Sequence, residues 1–409
     1  MHIPTIERRE SGAAPWGSTA LGPVRLEPRE APLAGIVAKG TLFTLLTLGF
    51  YRFWYKTRLR RYYWSNTTLM GDGFEYTGTG KELFIGFLIA LAIVVPIYAV
   101  AAVIGLMAGP ILGQIVTTAI SLVLIPALVQ MALYRARRYR LSRTRFRGVR
   151  FAQGGSAKQY LLLSVGWVLL VILTLGIMLP HMRTALHRYR INNTAFGSMQ
   201  ANFTGTAGSL MKRWLVVWLG SLVLFAVVFL ASFAAVMTGS TNPGAGAAIA
   251  GFILPLWVMI GWLAYRVKEF RHFTEGTRFG AIGFSSDLRT GRVIKILVKY
   301  GFIVALLPIA FSLLALLAGG FLKSLFGGGM TPVDNFGTGA TIFGIALAVL
   351  GFIFYAIITE LFLRKKLWAA YLGAVSISNV SALGEILQQA GIEGGAFGEA
   401  FDTDFDIAG

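Results

Sequence analysis

The sequence predicts an all-α polytopic membrane protein with six to eight spans, and three observations carry the prediction. Hydrophobic residues make up 56% of the 409 positions and charged residues only 13%, about half the ~25% of an ordinary soluble domain. Long stretches without charge, such as 83–134, supply the roughly 20 apolar residues per span that a hydrocarbon core of about 30 Å demands. The Lys and Arg residues behind the net charge of +19 gather beside the ends of these stretches, where positive-inside bias places them.

Seven apolar segments, about 83–109, 111–134, 160–182, 214–237, 245–265, 296–322 and 338–363, are joined by a weaker one at 40–54. Three connections carry almost no charge: around Gly109-Pro110, around Ser240–Gly244, and across 323–337. Each reads as the turn of a transmembrane helical hairpin, with Gly and Pro at the bend. Residues 1–32, with Pro, Gly and mixed charge and no signal-peptide apolar core, read as a disordered tail. The stretch Gly384–Gly409 carries six acidic and no basic residues and reads as a solvated tail that could fold back on a basic face.

Internal repetition organises the middle. Residues 46–83 and 173–210 align without a gap at 14 of 38 identities, including two copies of Leu-Thr-Leu-Gly. Further basic stretches share a grammar of helix end, Thr, Gly and Phe: Tyr62–Phe74, Tyr139–Phe151, the segment from Tyr189, the segment from Phe270 and a loose copy at 367–386. Gly-Asp-Gly and Phe-Arg-Gly-Val suit tight turns, so each copy is expected to be a juxtamembrane helix leading into a short β-hairpin-like motif. The division is a tail at 1–32, membrane units at 33–159 and 160–295, a third hairpin with a degenerate motif at 296–390, and an acidic tail at 391–409.

Two topologies follow, because each LTLG segment spans or re-enters. If 40–54 and 160–182 cross, the second unit is inverted, an arrangement used by secondary transporters. If they turn back, five basic stretches face one side, with 31 basic residues set against Lys323 alone. Charge favours the second arrangement, since Arg or Lys at the bilayer centre costs at least ~2.5 kcal/mol. Length favours it for 40–54 and not for 160–182.

Reactive chemistry is sparse. With no cysteine, disulfides and thiolate sites are excluded. The four histidines have no metal-ligand spacing and read as interfacial residues beside arginines. Thr77-Gly78-Thr79-Gly80 lacks the context of a phosphate loop and reads as a helix cap. Glu360 and Arg364 have the i,i+4 spacing of a surface pair, and Gln114 and Gln130 are the buried-amide candidates. No catalytic residue, cofactor or metal is expected, and the chain is not expected to be an enzyme.

The expected partners are anionic membrane lipids, with a protein partner or a second copy left open and nucleic acid disfavoured. Candidate head-group contacts are Arg58, Arg60, Arg61, Arg135, Arg137, Arg138, Arg188, Arg190, Arg266 and Arg271. The motif residues are Gly49, Asn66, Thr67, Gly78, Gly176, Asn193, Thr194 and Gly205. Movement of a small molecule or lipid is the first functional expectation. A membrane organiser that binds through its basic face is the second.

The segments Leu46–Trp54, Arg61-Tyr62, Asn66-Thr67, Gly71–Phe74 and Gly78–Phe84 resemble the YjgN family. With the repeats, the resemblance covers roughly residues 33 to 390. The second copy departs from it, with Met178 and His181 where the first has Tyr51 and Trp54. The resemblance implies a multi-pass protein of the bacterial inner membrane with cytoplasmic basic motifs. It brings no known activity.

Overall fold

The computed structural model describes residues 22–26, 32–238, 244–326 and 333–379. Residues 1–21, 27–31, 239–243, 327–332 and 380–409, which include two of the expected hairpin turns and the expected acidic tail, lie outside the described residues.

Helices dominate, but the chain is not all-α. Ten short strands close into one barrel, each antiparallel to its neighbours. They are β1 (Gly22–Leu26), β2 (Thr67–Leu69), β3 (Asp72–Tyr76), β4 (Thr144–Phe146), β5 (Val149–Gln153), β6 (Thr194–Phe196), β7 (Met199–Phe203), β8 (Thr277–Phe279), β9 (Ile282–Ser286) and β10 (Val375–Ser378). The expected hairpin motifs are therefore not separate ornaments. Their edges pair with one another, so closure leaves no exposed strand edge. Part of the segment expected to be a disordered tail supplies β1, which lies between β2 and β10.

The helices are α1 (Leu33–Leu46), α2 (Arg52–Asn66), α3 (Gly80–Ala108), α4 (Pro110–Ala119), α5 (Ile125–Ser142), α6 (Ala157–Leu173), α7 (Leu179–Asn192), α8 (Gly208–Met237), α9 (Gly244–Gly276), α10 (Thr290–Phe326), α11 (Val333–Ile358) and α12 (Lys365–Leu372). Single π turns, Ile120–Leu124 and Thr359–Arg364, link α4 to α5 and α11 to α12. Among the described residues five helical stretches are long and apolar enough to cross a membrane: Gly80–Ala108, Pro110–Ser142, Gly208–Met237, Thr290–Leu314 and Gly344–Leu372.

The repeated threonine has a structural reason. Thr67, Thr144, Thr194 and Thr277 each donate their hydroxyl to the carbonyl four residues back, at 2.7, 2.8, 2.8 and 2.7 Å. The hydroxyl satisfies an orphan carbonyl at the helix end, and the next residues start a strand. The strand then reverses at Met70-Gly71 and Arg147-Gly148, where all four residues have positive φ. Such pairs match the twist of a two-residue hairpin.

Register puts one apolar layer inside the barrel. Phe74 lies opposite Phe146, Phe151 opposite Phe196, and Phe284 opposite Ile377. Leu69, Phe146, Phe196, Ile282 and Ile377 are each buried to 6% exposure or less. Directly opposed residues share a face of the sheet. Burial of each such side chain contributes roughly 1.5–3 kcal/mol.

The two LTLG segments are helix ends, and the chain reverses after each. Thr47 and Thr174 donate to the carbonyls of Phe43 (2.6 Å) and Leu170 (2.8 Å), and accept from the amides of Tyr51 (2.9 Å) and Met178 (3.3 Å). Leu48 and Leu175 have φ of 51° and 49°, and Gly49 and Gly176 have φ of 94° and 91°. Two left-handed residues in succession end the helix, and α2 then packs against α1 as α7 does against α6. The apolar stretch 160–182 is thus broken after Leu173, and α1 and α6 are shorter apolar helices of 14 and 17 residues. Composition alone could not show this break, because the residues of the turn are themselves apolar.

Candidate functional site

One face of α2, the end of α5, the Thr359–Arg364 π turn and α12 come together beside the strands. They border a half-open chamber of about 320 Å³ lined by Lys56, Arg60, Arg137, Arg140 and Arg364, with Glu360, Tyr63, Trp64, Thr144, Trp368 and Leu372. Among the described lining residues five are cations and one is a carboxylate. The cations come from α2, α5 and the π turn, and each of them has a partner of its own.

Two buried carboxylates organise the surrounding arginines. Glu360 is 2% exposed, accepts from Tyr63 Oη at 2.6 Å and from Arg364 Nη1 at 3.1 Å. It sits in the π turn that precedes α12, and the expected surface pair is in fact a buried one. Burial, followed by the charge of Glu360, raises the Tyr63 pKa, so the phenol stays protonated and donates. Glu269 is fully buried and is gripped by Arg183 and by Arg266, the latter at 2.6 Å. Burial raises its carboxyl pKa while Arg183 pulls it down. A third carboxylate, Glu82, forms a capping box with Thr79 at the start of α3 and accepts from Tyr139 Oη at 2.5 Å and Arg143 at 3.0 Å. The Thr-Gly-Thr-Gly segment is thus a helix cap.

The described histidines, His181, His187 and His272, are half-buried. His187 stacks on Phe273 with centroids 4.0 Å apart and meets the edge of Phe203 at 4.9 Å. Burial, then Arg190, Arg137 and Arg183, hold its pKa well below the ordinary value. His272 meets Ser209 Oγ through Nδ1 at 3.2 Å, and burial lowers its pKa too. Among the described residues no group of three His or acidic side chains is arranged to hold a metal ion.

The ten candidate arginines separate into distinct roles. Arg60, 8% exposed, and Arg137 line the chamber, and Arg190 acts on the same His187 as Arg137. Arg60 also donates to Tyr76 Oη at 3.2 Å. Arg61 and Arg188 hold the strand exits instead, donating to the carbonyls of Gly78 at 3.0 Å and Gly205 at 2.8 Å. Arg58 is exposed and lies over the Tyr51 ring, Arg135 is exposed, and Arg138 is half-buried. Arg266 belongs to Glu269, and Arg271 pairs with Glu275 at 3.6 Å.

Among the motif residues, Asn66 and Asn193 donate to the carbonyls of Tyr62 and Tyr189 at 2.6 and 2.7 Å, closing helix ends. Lys56, Arg140 and Glu269 are site residues that sequence reasoning does not single out, and Glu360 and Arg364 are singled out only as a surface pair. Their signal is faint: Glu269 and Glu360 are acidic residues within basic stretches or at a span end, where a carboxylate has cations to organise. Of the two amide candidates, Gln114 is exposed and Gln130 half-buried.

Residues 23–403 match the family described as a bacterial protein of unknown function (DUF898), a match that takes in nearly the whole barrel and every helix above. The chain belongs to the DUF898 family. No curated protein and no solved structure matches it. The sequence resemblance, to a bacterial family of unknown function, agrees with this membership at that level. For this DUF898 chain, function has to be argued from the chamber itself.

Proposed function

We propose that this DUF898 protein is a membrane-anchored binder of anionic phosphate head groups, with the chamber as its site. It sits in the bacterial inner membrane with the barrel and its basic helix ends on the cytoplasmic side. One observation carries the reading: among the described residues, five cations and one carboxylate line a chamber beside the strands where apolar helices leave the barrel. Arginine suits this role because its planar fork engages two phosphate oxygens together. The distribution of charge supports the orientation, with 31 of 37 basic residues in the five stretches at the barrel end of the helices.

Transport of a small molecule or lipid, the first expectation from the sequence, is the weaker reading. It calls for polar groups gathered at mid-membrane. Instead 0–11% of each spanning window is buried within the chain, which suits anchoring hairpins that face lipid or a second copy.

The test is lipid selectivity of the purified chain in nanodiscs, read by native mass spectrometry. Wild type is expected to retain anionic phospholipid over phosphatidylcholine. Arg60→Ala with Arg137→Ala is expected to weaken that preference roughly tenfold for each charge-assisted hydrogen bond removed, while Arg58→Ala leaves it unchanged. Equal retention by the double variant would overturn the reading.

A further inference from the structure

The two Leu-Thr-Leu-Gly turns take no part in the chamber, and their tips break a local rule. Leu48 and Leu175 hold left-handed backbone at φ 51° and 49°, where a leucine costs roughly 1–2 kcal/mol and Gly or Asn is at home. Their side chains gain little from the rest of the fold, being 91% and 79% exposed. Leu46, Phe50, Ile172 and Leu173 beside them are also exposed. Both copies thus present the same strained apolar tip, turned away from the chain's own core.

The depth of the tips follows from what they touch on the spanning helices. Phe50, beside the first turn, meets Phe84 of α3 with ring centroids 6.1 Å apart. In the second turn the carbonyls of Leu175 and Gly176 accept from the indoles of Trp218 and Trp214 on α8, at 2.8 and 2.9 Å. Counting from the barrel, Glu82 and Arg213 are the last charged residues on α3 and α8. The contacts lie within five residues of them, about 7.5 Å of helix rise. The bilayer midplane lies ~15 Å inside the edge of the hydrocarbon core. Arg52 follows the first turn and is exposed, and its charge is costly at any greater depth. The chain then returns to the barrel, α2 running into β2 and α7 into β6.

We propose that the two turns are wedges in the leaflet on the barrel's side, and that they draw the protein to membrane where that leaflet is convex. The spanning helices take area from both leaflets, whereas the turns take it from one. Apolar groups inserted about 5–10 Å fill gaps between head groups, which widen as a leaflet bows outward. The partner is therefore a loosely packed acyl surface, and the inference stands independently of the chamber.

The experiment uses the whole chain carrying Ser198→Cys, labelled with a dye, in giant phosphatidylcholine vesicles from which narrow tethers are pulled. Quenching from outside separates chains with the barrel out from chains with the barrel in. Barrel-out chains are expected to be enriched on the tether relative to a lipid dye, and barrel-in chains to be depleted. Leu48→Asn with Leu175→Asn is expected to abolish most of both effects without lowering the melting midpoint, because Asn suits a left-handed turn. Leu48→Gly with Leu175→Gly takes its place should the asparagines disturb folding. Even partition of the wild type, or sorting unchanged in the variant, would overturn the wedge.

Spin labels on Leu48→Cys and Leu175→Cys read the depth directly, and about 5–10 Å below the head groups is expected. A label in water, a label at the midplane, or a label shielded from lipid by a second copy would overturn it as well.

Discussion

Tyr63 Oη donates to Glu360 Oε1 across 2.6 Å, a bond between residues 297 positions apart. It ties α2 to the π turn that leads into α12 and closes one side of the chamber. Tyr63→Phe leaves a buried carboxylate short of a donor and is expected to cost about 1–3 kcal/mol. Thermal unfolding in nanodiscs checks this, and an unchanged midpoint would contradict it.

His187 gives the protein an acid sensitivity with a definite sign. Its folded pKa is depressed by burial and then by Arg190, Arg137 and Arg183. As pH falls through about 6.5 the unfolded chain takes up a proton that the folded chain refuses. Stability is therefore full above that value and declines below it. His187→Phe is expected to flatten part of the decline in melting midpoint between about pH 7.5 and about pH 5. His272, whose pKa is lowered in the same direction, contributes with the same sign. An identical pH slope in the variant would refute the assignment.

Gly78 is a close-approach position. A Cβ there would stand 2.6 Å from Tyr76 Oη and 2.8 Å from Tyr139 Oη. Gly78→Ala is expected to push Tyr139 off Glu82 and cost about 1–3 kcal/mol. Gly166→Ala, in the open face of α6 with nothing within 4 Å, is expected to gain up to ~1 kcal/mol from helix propensity. Equal effects of the two substitutions on the melting midpoint would sink the argument.

The barrel also fixes a labelling result. Glu75, Ser198 and Arg278 are exposed positions on it. The chain has no native cysteine, so single cysteines at these three sites can be read cleanly. All three are expected to resist a membrane-impermeant maleimide on intact spheroplasts and to react after permeabilisation. A mixed pattern is incompatible with one barrel on one side. Cysteines at Leu48 and Leu175, 91% and 79% exposed in the isolated chain, are expected to stay unreactive in both states because lipid covers them.

Much of this architecture is legible in the sequence because it is local. Apolar runs, the Thr79 cap, and the turns at Gly71 and Gly148 depend on neighbours within a few residues. The barrel is not, because β3 and β4 pair across an intervening charge-free stretch, and strands of three and five residues give little periodicity. Thr and Phe stand out as recurring letters, while their reasons emerge only in three dimensions: one closes a helix, the other faces the inside of the barrel. Glu360 is ambiguous in sequence because i,i+4 spacing to Arg364 describes an exposed pair and a buried one equally well. Tyr63, the residue that distinguishes them, lies at the other end of the chain.

The pairing of β1 with β10 has a consequence for biogenesis. Its register joins Gly22 to Ile377 and Pro23 to Ser376, so the ring cannot shut until the ribosome has delivered residue 377. The membrane hairpins insert first, while the early strands wait with open edges, exposed to mispairing and aggregation. The clasp comes late, and a nascent chain stalled before residue 375 is a protein already moored in the bilayer but not yet sealed.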